Sequence, residues 1–221
     1  MKWYTAIGMK KNLGPGEFCV QVGHNEKVLR GTEIYIWTAL LWTFCEEEDI
    51  YDRVKKMLQL TFGEKEAEEK LCKEEYLFCL RRLCVRKLVI CCEGETAEGA
   101  VMCIMEKAVL KPYYIPAEER WSIFFESIKR GRGLRFALKA FKRNFLEEDE
   151  RKLLEILKKS GDIGQHLETL KNQAILAHFL PVDSQEMKQL QEIVKKQFLV
   201  DVITLYAKKL VNISFIAGKE T

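Results

Sequence analysis

Eight cysteines and one dense run of lysines and arginines are the residues with the clearest chemical potential in this 221-residue chain. The cysteines stand at 19, 45, 72, 79, 84, 91, 92 and 103, all in the first half. A structural zinc site needs thiolates or imidazoles in close pairs, commonly Cys-x-x-Cys, so that four ligands converge. No Cys-x-x-Cys is present, and His24, His166 and His178 do not cluster with the thiols. Cys79 and Cys84 are five apart, about 140° of rotation from a shared helix face. The cysteines therefore read as small buried hydrophobes, and no metal is expected. A redox pair is the alternative. If residues 88–92 and 101–105 form a hairpin centred on Ala97, Cys91 faces Cys103, where cross-strand side chains approach closely enough to bridge.

Catalytic patterns are missing. There is no Gly-x-Ser-x-Gly, no Walker A sequence and no dinucleotide fingerprint. The acidic runs 46–49 and 147–150 precede helical patterns, where negative charge is stabilised by about 0.3–1 kcal/mol. Capping accounts for them better than a catalytic carboxylate pair. His166 and His178 are twelve apart, over three helical turns, and cannot share a ligand. Neither a catalytic residue nor a cofactor is expected.

The basic run is residues 129–143, KRGRGLRFALKAFKR, with seven cations and no acid. Lys129 and Arg130 open it. Arg132, Arg135, Lys139 and Lys142 then recur every three to four residues, and Arg143 closes it. They flank an apolar stripe of Leu134, Leu138, Phe141 and Phe145. One face of such a helix buries while its neighbour meets phosphates. The plainer alternative is a solvated amphipathic helix whose charges pair with Glu126 and Glu147–Glu150.

These residues need elements to position them. Residues 17–23 alternate Phe18, Val20 and Val22, a short strand. His24, Asn25 and Glu26 read as a turn, with Lys27–Leu29 returning. Thr32 reads as an N-cap for a helix with apolar residues at 34, 37, 40, 41 and 44. A second helix carries Ile50, Val54, Met57, Leu58 and Phe62, and Gly63 ends it. A third carries Tyr76, Leu77, Leu80, Leu83 and Cys84. The hairpin 88–92/101–105 follows. It is apolar on both faces, so something must cover its second face. Pro112 and Pro116 bracket a linker. Helical patterns then cover 118–129, 134–145, 147–159, 165–179 and 183–209, with a last strand at 211–215.

Strand, three helices and hairpin is an order that resembles the winged helix-turn-helix domain, which implies DNA-associated regulation. In that family the third helix enters the major groove, led by its N-terminal residues. Here that end is Lys73-Glu74-Glu75, and Arg81, Arg82, Arg86 and Lys87 lie toward the other end. The expected wing tip carries Glu93, Glu95 and Glu98, which phosphates repel. The stretches EFCVQVGHNEKVLRGTEIYIWTALLWTF, EEDIYDRVKKML and LFCLRRLCVRKLVI also resemble the PqqD-like peptide-recognition family. That resemblance implies a peptide added as a strand alongside the third helix. Phe18, Val20 and Val22 would border the groove, with Arg81 or Arg82 beside it.

Composition agrees with a folded chain: 48% hydrophobic, 31% charged and a net charge of +3. Residues 1–112 carry 17 basic and 18 acidic side chains, and residues 113–221 carry 19 and 15. The expected class is α+β, mostly α. A winged helix-like domain at 1–111, a linker at 112–116 and an all-helical domain at 117–221 are expected. The N-terminus lacks the apolar core of a secretory signal, and no 18-residue apolar run exists. A cytoplasmic location without membrane contact follows. The expected partner is DNA or, alternatively, a peptide or protein. Homodimerisation is a role open to the helical half. The DNA reading makes a direct prediction. Random duplex binds at about 50 mM salt, weakens steeply as salt rises, and is lost on combining Arg132→Ala, Arg135→Ala and Lys139→Ala. Undetectable binding to the duplex, or binding untouched by the triple substitution, contradicts it.

Overall fold

A computed structural model describes residues 1–12, 18–113, 117–129, 131, 134, 138, 147–178 and 185–216. The fold is α+β and mostly α, as expected. Two strands of different sheets open the chain, β1 (Lys2–Ala6) and β2 (Met9–Asn12). The expected strand and its return follow as β3 (Phe18–Val22) and β4 (Asn25–Leu29). The turn between them is tighter than expected. Val22 pairs with Asn25 and Gln21 with Glu26, so only Gly23 and His24 remain to connect the strands.

The three expected helices are present. They are α1 (Thr32–Leu40), α2 (Glu47–Phe62) and α4 (Lys73–Val85), with a short α3 (Glu64–Lys70) before the last. Thr32 is the first residue of α1 rather than its cap. Gly31 holds the cap position, with a positive φ of 53°. Of the expected α2 stripe, Ile50, Val54 and Leu58 are buried and Met57 is half-buried, whereas Phe62 is exposed. A two-residue strand, β5 (Cys45–Glu46), leads into it.

The hairpin is the main correction. Its first strand exists as β6 (Val89–Glu93), but residues 101–105 lie within a helix, α5 (Ala97–Glu106). Two local causes favour the helix. The Thr96 hydroxyl caps it by accepting from the Gly99 amide at 3.1 Å. Ala100 and Ile104, one turn apart, supply a buried face. The partner edge of β6 is also taken. β1 pairs along its whole length, from Lys2 opposite Glu93 to Ala6 opposite Val89. The resulting sheet has the order β5-β1-β6, with the N-terminal strand in the middle.

Pro112 closes a strand, β7 (Ala108–Pro112), instead of opening the linker. Residues 114–116 lie outside the described residues. Beyond them come α6 (Ala117–Lys129), α7 (Glu148–Lys159), α8 (Ile163–His178) and α9 (Gln185–Ala207). The last element is the strand β8 (Val211–Ile216), which pairs with β7. The C-terminal region is thus helical with one strand, and that strand reaches back across the molecule. The Gly8 amide donates to the Ile213 carbonyl at 2.7 Å, and the buried Asn212 donates through Nδ2 to the Gly8 carbonyl at 2.6 Å.

Two hydrophobic clusters result. The first packs β1, β3 and β4 with α1, α2 and α4 around Trp37, Leu40, Tyr76 and Leu83. The second joins Ile7, α5 and β7 to α7, α8, α9 and β8 around Met105, Leu205 and Tyr206. Successive β6 residues serve both, since alternate side chains point to opposite faces. Val89 and Cys91 pack on the first cluster, Ile90 and Cys92 on the second.

Close backbone approach pins this second cluster at Gly161. The Leu110 amide donates to the Gly161 carbonyl at 2.7 Å. A Cβ at that glycine would lie 1.8 Å from the Leu110 carbonyl oxygen. Gly161→Ala therefore forces the α7–α8 turn away from β7. A loss of about 2–3 kcal/mol in unfolding free energy is expected from denaturant titration. A variant as stable as the parent would show that the turn moves freely.

Candidate binding cleft between two sheet edges

A cavity of about 620 Å³ opens where the two sheets of the N-terminal half face each other. Its lining includes Val22 to Asn25 and Lys27 from the β3–β4 hairpin, and Cys84 and Lys87 from the end of α4 and the turn after it. Three consecutive residues of β6, Val89, Ile90 and Cys91, also line it, with Phe215 and Ile216 of β8. Three neighbours in one strand cannot all present side chains to one face. The edge of β6 therefore borders the cavity. That edge is open to a further strand, because among the described residues β6 pairs with β1 alone.

The other wall is the β3–β4 hairpin, which presents Val22 to Asn25 and Lys27. Among the described residues β4 has one strand neighbour, β3. Pairing of Val22 with Asn25 across a two-residue turn directs the backbone groups of Asn25, Lys27 and Leu29 toward β3. Those of Glu26 and Val28 then point outward. The Val28 carbonyl confirms this parity by accepting from Arg86 Nη2 at 2.7 Å.

The walls are apolar and the charged groups are cationic. Ile7, Val22, Val89, Ile90, Phe215 and Ile216 supply the first kind, and Lys27 and Lys87 the second, with Asn25 and His24 as further polar groups. Among the described residues the lining contains no carboxylate. Burial, with Arg86 and Lys87 close by, pushes the Lys27 ammonium below the usual lysine range. Its Nζ donates to the Arg86 carbonyl. Lys87 is left-handed at φ 54°, where a non-glycine residue is uncommon. Burial, with Cys91 and Glu47 nearby, pushes the Cys84 thiol up to about 11, and burial also raises Cys91. Both thiols are thus protonated at neutral pH and behave as small apolar groups.

A buried carboxylate fixes the width between α4 and β4. Glu33, 1% exposed, accepts from Arg82 Nε at 2.7 Å and from Arg86 Nη1 at 3.0 and 2.9 Å. The same Arg86 holds Val28. One guanidinium therefore ties α1, α4 and β4 together.

The expected groove residues fall differently. β3 is the central strand of its sheet, so no peptide can pair with it. Val20 is fully buried, and Phe18 packs edge-on against Trp37 at 5.7 Å. Only Val22 borders the cleft. Arg81 is exposed on α4 and Arg82 is engaged by Glu33; neither lines the cleft. Arg130, Arg132, Arg135, Lys139, Lys142 and Arg143 lie outside the described residues. Cys91 and Cys103 do not face each other, because Cys103 is on α5, where its thiol accepts from Lys107 Nζ at 3.9 Å. Among the described residues no group of three or more His, Cys, Asp or Glu side chains could hold a metal, and no helix is long and apolar enough to cross a membrane. Sequence reading passed over Asn25, Lys27 and Lys87. Their signal was present in the polar–apolar alternation of 25–29 and the Arg86-Lys87 pair. No family model, curated protein or solved structure matches the chain.

The Glu33 clamp predicts a pH dependence. Burial alone would raise its carboxyl, but hydrogen bonds from Arg82 and Arg86 outweigh that and hold it below the usual carboxylate range. A group depressed in the folded state stabilises fully above its unfolded value, near 4.3, and loses that contribution as pH falls through the folded one. Glu33→Gln should cost about 2–4 kcal/mol at neutral pH. The gap between variant and parent should close below about pH 4. A gap independent of pH would mean the carboxylate is not held ionised.

Proposed function

We propose that this chain is a peptide- or protein-binding adaptor that takes an extended, acidic segment into the cleft between β4 and β6. The observation that carries this reading is the free edge of β6 facing a cavity whose other wall is the β3–β4 hairpin. An added strand gains main-chain hydrogen bonds at β6. Its alternate side chains meet the apolar residues, and its carboxylates meet Lys27 and Lys87. The three-stranded sheet β2-β3-β4 followed by α1, α2 and α4 supports the peptide-recognition resemblance, with the groove beside β4 instead of β3.

The sheet β5-β1-β6 beside α1, α2 and α4 is compatible with a winged-helix-like module in which β1 substitutes for the second wing strand. A projecting hairpin after α4, which a DNA-reading wing needs, is replaced by α5. The first turn of α4 carries Glu74 and Glu75, and Arg82 and Arg86 are occupied by Glu33. These features favour the adaptor over a DNA-associated regulator, whose remaining support is the basic run 129–143.

Selection from a random peptide library tests the proposal. Enriched sequences should be acidic, with apolar residues at every second position. The double variant Lys27→Met with Lys87→Met should bind them at least about tenfold more weakly, a difference of ~1.4 kcal/mol. Absence of enrichment, enrichment of basic sequences, or equal binding by the double variant would overturn it.

A further inference from the structure

Helix α4 buries Tyr76, Cys79, Leu80 and Leu83 in the first cluster and leaves its other face to solvent. Phe78 stands on that outer face at 61% exposure, and Val85 at 82%. Glu74, Glu75, Arg81 and Arg82 flank Phe78 and are exposed as well. Among the described residues Glu74, Glu75 and Arg81 have no ion-pair partner. Arg82 lies over the Phe78 ring at 5.7 Å while bonding to Glu33. Large apolar side chains exposed together and rimmed by charge mark a contact surface. We infer that a second copy of this chain docks here, α4 against α4, antiparallel about a two-fold axis beside Phe78.

Helix geometry makes that face complementary to itself. The acids stand three and four residues before Phe78, and the arginines three and four after it. At about 100° per residue, Glu74, Arg81 and Val85 lie within about 60° of Phe78 on one side. Glu75 and Arg82 lie within about 60° of it on the other. A two-fold axis that reverses the helix keeps each residue on its own side and inverts its height. Glu74 of one copy then meets Arg81 of the other, Glu75 meets Arg82, and the two Phe78 rings meet at the axis. Each ion pair forms twice. Val85 lies level with the start of the opposing helix.

A second copy satisfies both ends of the face at once. An acidic helix pairs with Arg81 and Arg82 but meets repulsion at Glu74 and Glu75, and a basic helix does the reverse. Parallel self-pairing sets acid beside acid and arginine beside arginine. One helix face is a small interface, so the association is weak and reversible. Its exposed ion pairs set register and orientation more than affinity. The cleft takes only Cys84 from α4, with Lys87 from the turn after it, so this face stands apart from the peptide-binding reading.

Sedimentation velocity of the full chain provides the test. Between about 5 and about 500 µM the weight-average mass should rise from that of one chain toward that of two. Phe78→Ser should weaken association at least about tenfold. Arg81→Glu and Glu74→Arg should each do the same, because each sets like charges against one another across the axis. Mixing the Glu74→Arg protein with the Arg81→Glu protein should restore association, since only the mixed pair has opposite charges at both contacts. All three side chains are exposed, and circular dichroism checks that each variant keeps the helix content of the parent. A chain that stays monomeric over the whole range, single variants that associate as the parent does, or a mixture that stays monomeric would each overturn the inference.

Discussion

A carboxylate taken out of water must be paired, or it gives up its charge. Glu33 meets that requirement with two guanidiniums from one helix face, and the rest of the N-terminal half is arranged around the result. Arg82 and Arg86 lie one turn apart on α4 and just past its end, so they reach the same carboxylate together. Arg86 uses only Nη1 for Glu33, and its Nη2 donates to the Val28 carbonyl of β4. Helix α1 supplies the acid, α4 the bases and β4 the final acceptor. These bonds hold β4 beside α4, next to the hydrophobic cluster that both elements join.

The second constraint is topological. The N-terminal strand β1 sits between β5 and β6, and the C-terminal strand β8 closes against β7 while bonding to the β1–β2 turn at Gly8. Gly8 can accept this only without a side chain. Its φ is 95°, and a Cβ there would lie 2.6 Å from the Gln21 carbonyl. Strands β1 and β8 are therefore both tied into the fold. Phe215 and Ile216 complete the cleft wall because β8 runs this way. The two clusters share β6, so a change on one face of that strand is felt on the other.

Much of this was legible in the residues. The 3.6-residue spacing of Ile50, Val54 and Leu58, the glycine at 63 and the capped acidic starts are local signals, and local signals survive folding. The β3–β4 hairpin was also visible in its alternation. What was not legible was pairing at long range. KWYTA is too short a segment to announce a central strand, and nothing local says that it takes the edge of β6. With that edge occupied, residues 97–106 follow their own preference for helix. Of the apolar residues that looked like a two-faced strand at 101–105, Ile104 and Met105 lie on the buried side of α5, and Val101, Met102 and Cys103 are half-buried. The expected Cys91–Cys103 pair failed for the same reason, since it assumed that strand. The groove was placed one strand away from its edge, because strand order is invisible in the chain itself. Both sides of the Glu33 clamp are ordinary-looking charges in sequence, and only burial distinguishes them.

The central claim is that β6 is an open edge that a bound peptide completes against the β3–β4 hairpin. Amide hydrogen exchange, resolved by residue, tests it most directly on the intact chain with a library-selected acidic peptide. Outward amides of β6 between Val89 and Cys91 should exchange more slowly on binding. Amides of β3, already paired on both sides, should not change. Protection confined to other parts of the chain, with β6 exchanging as in the free protein, would contradict strand addition at this cleft.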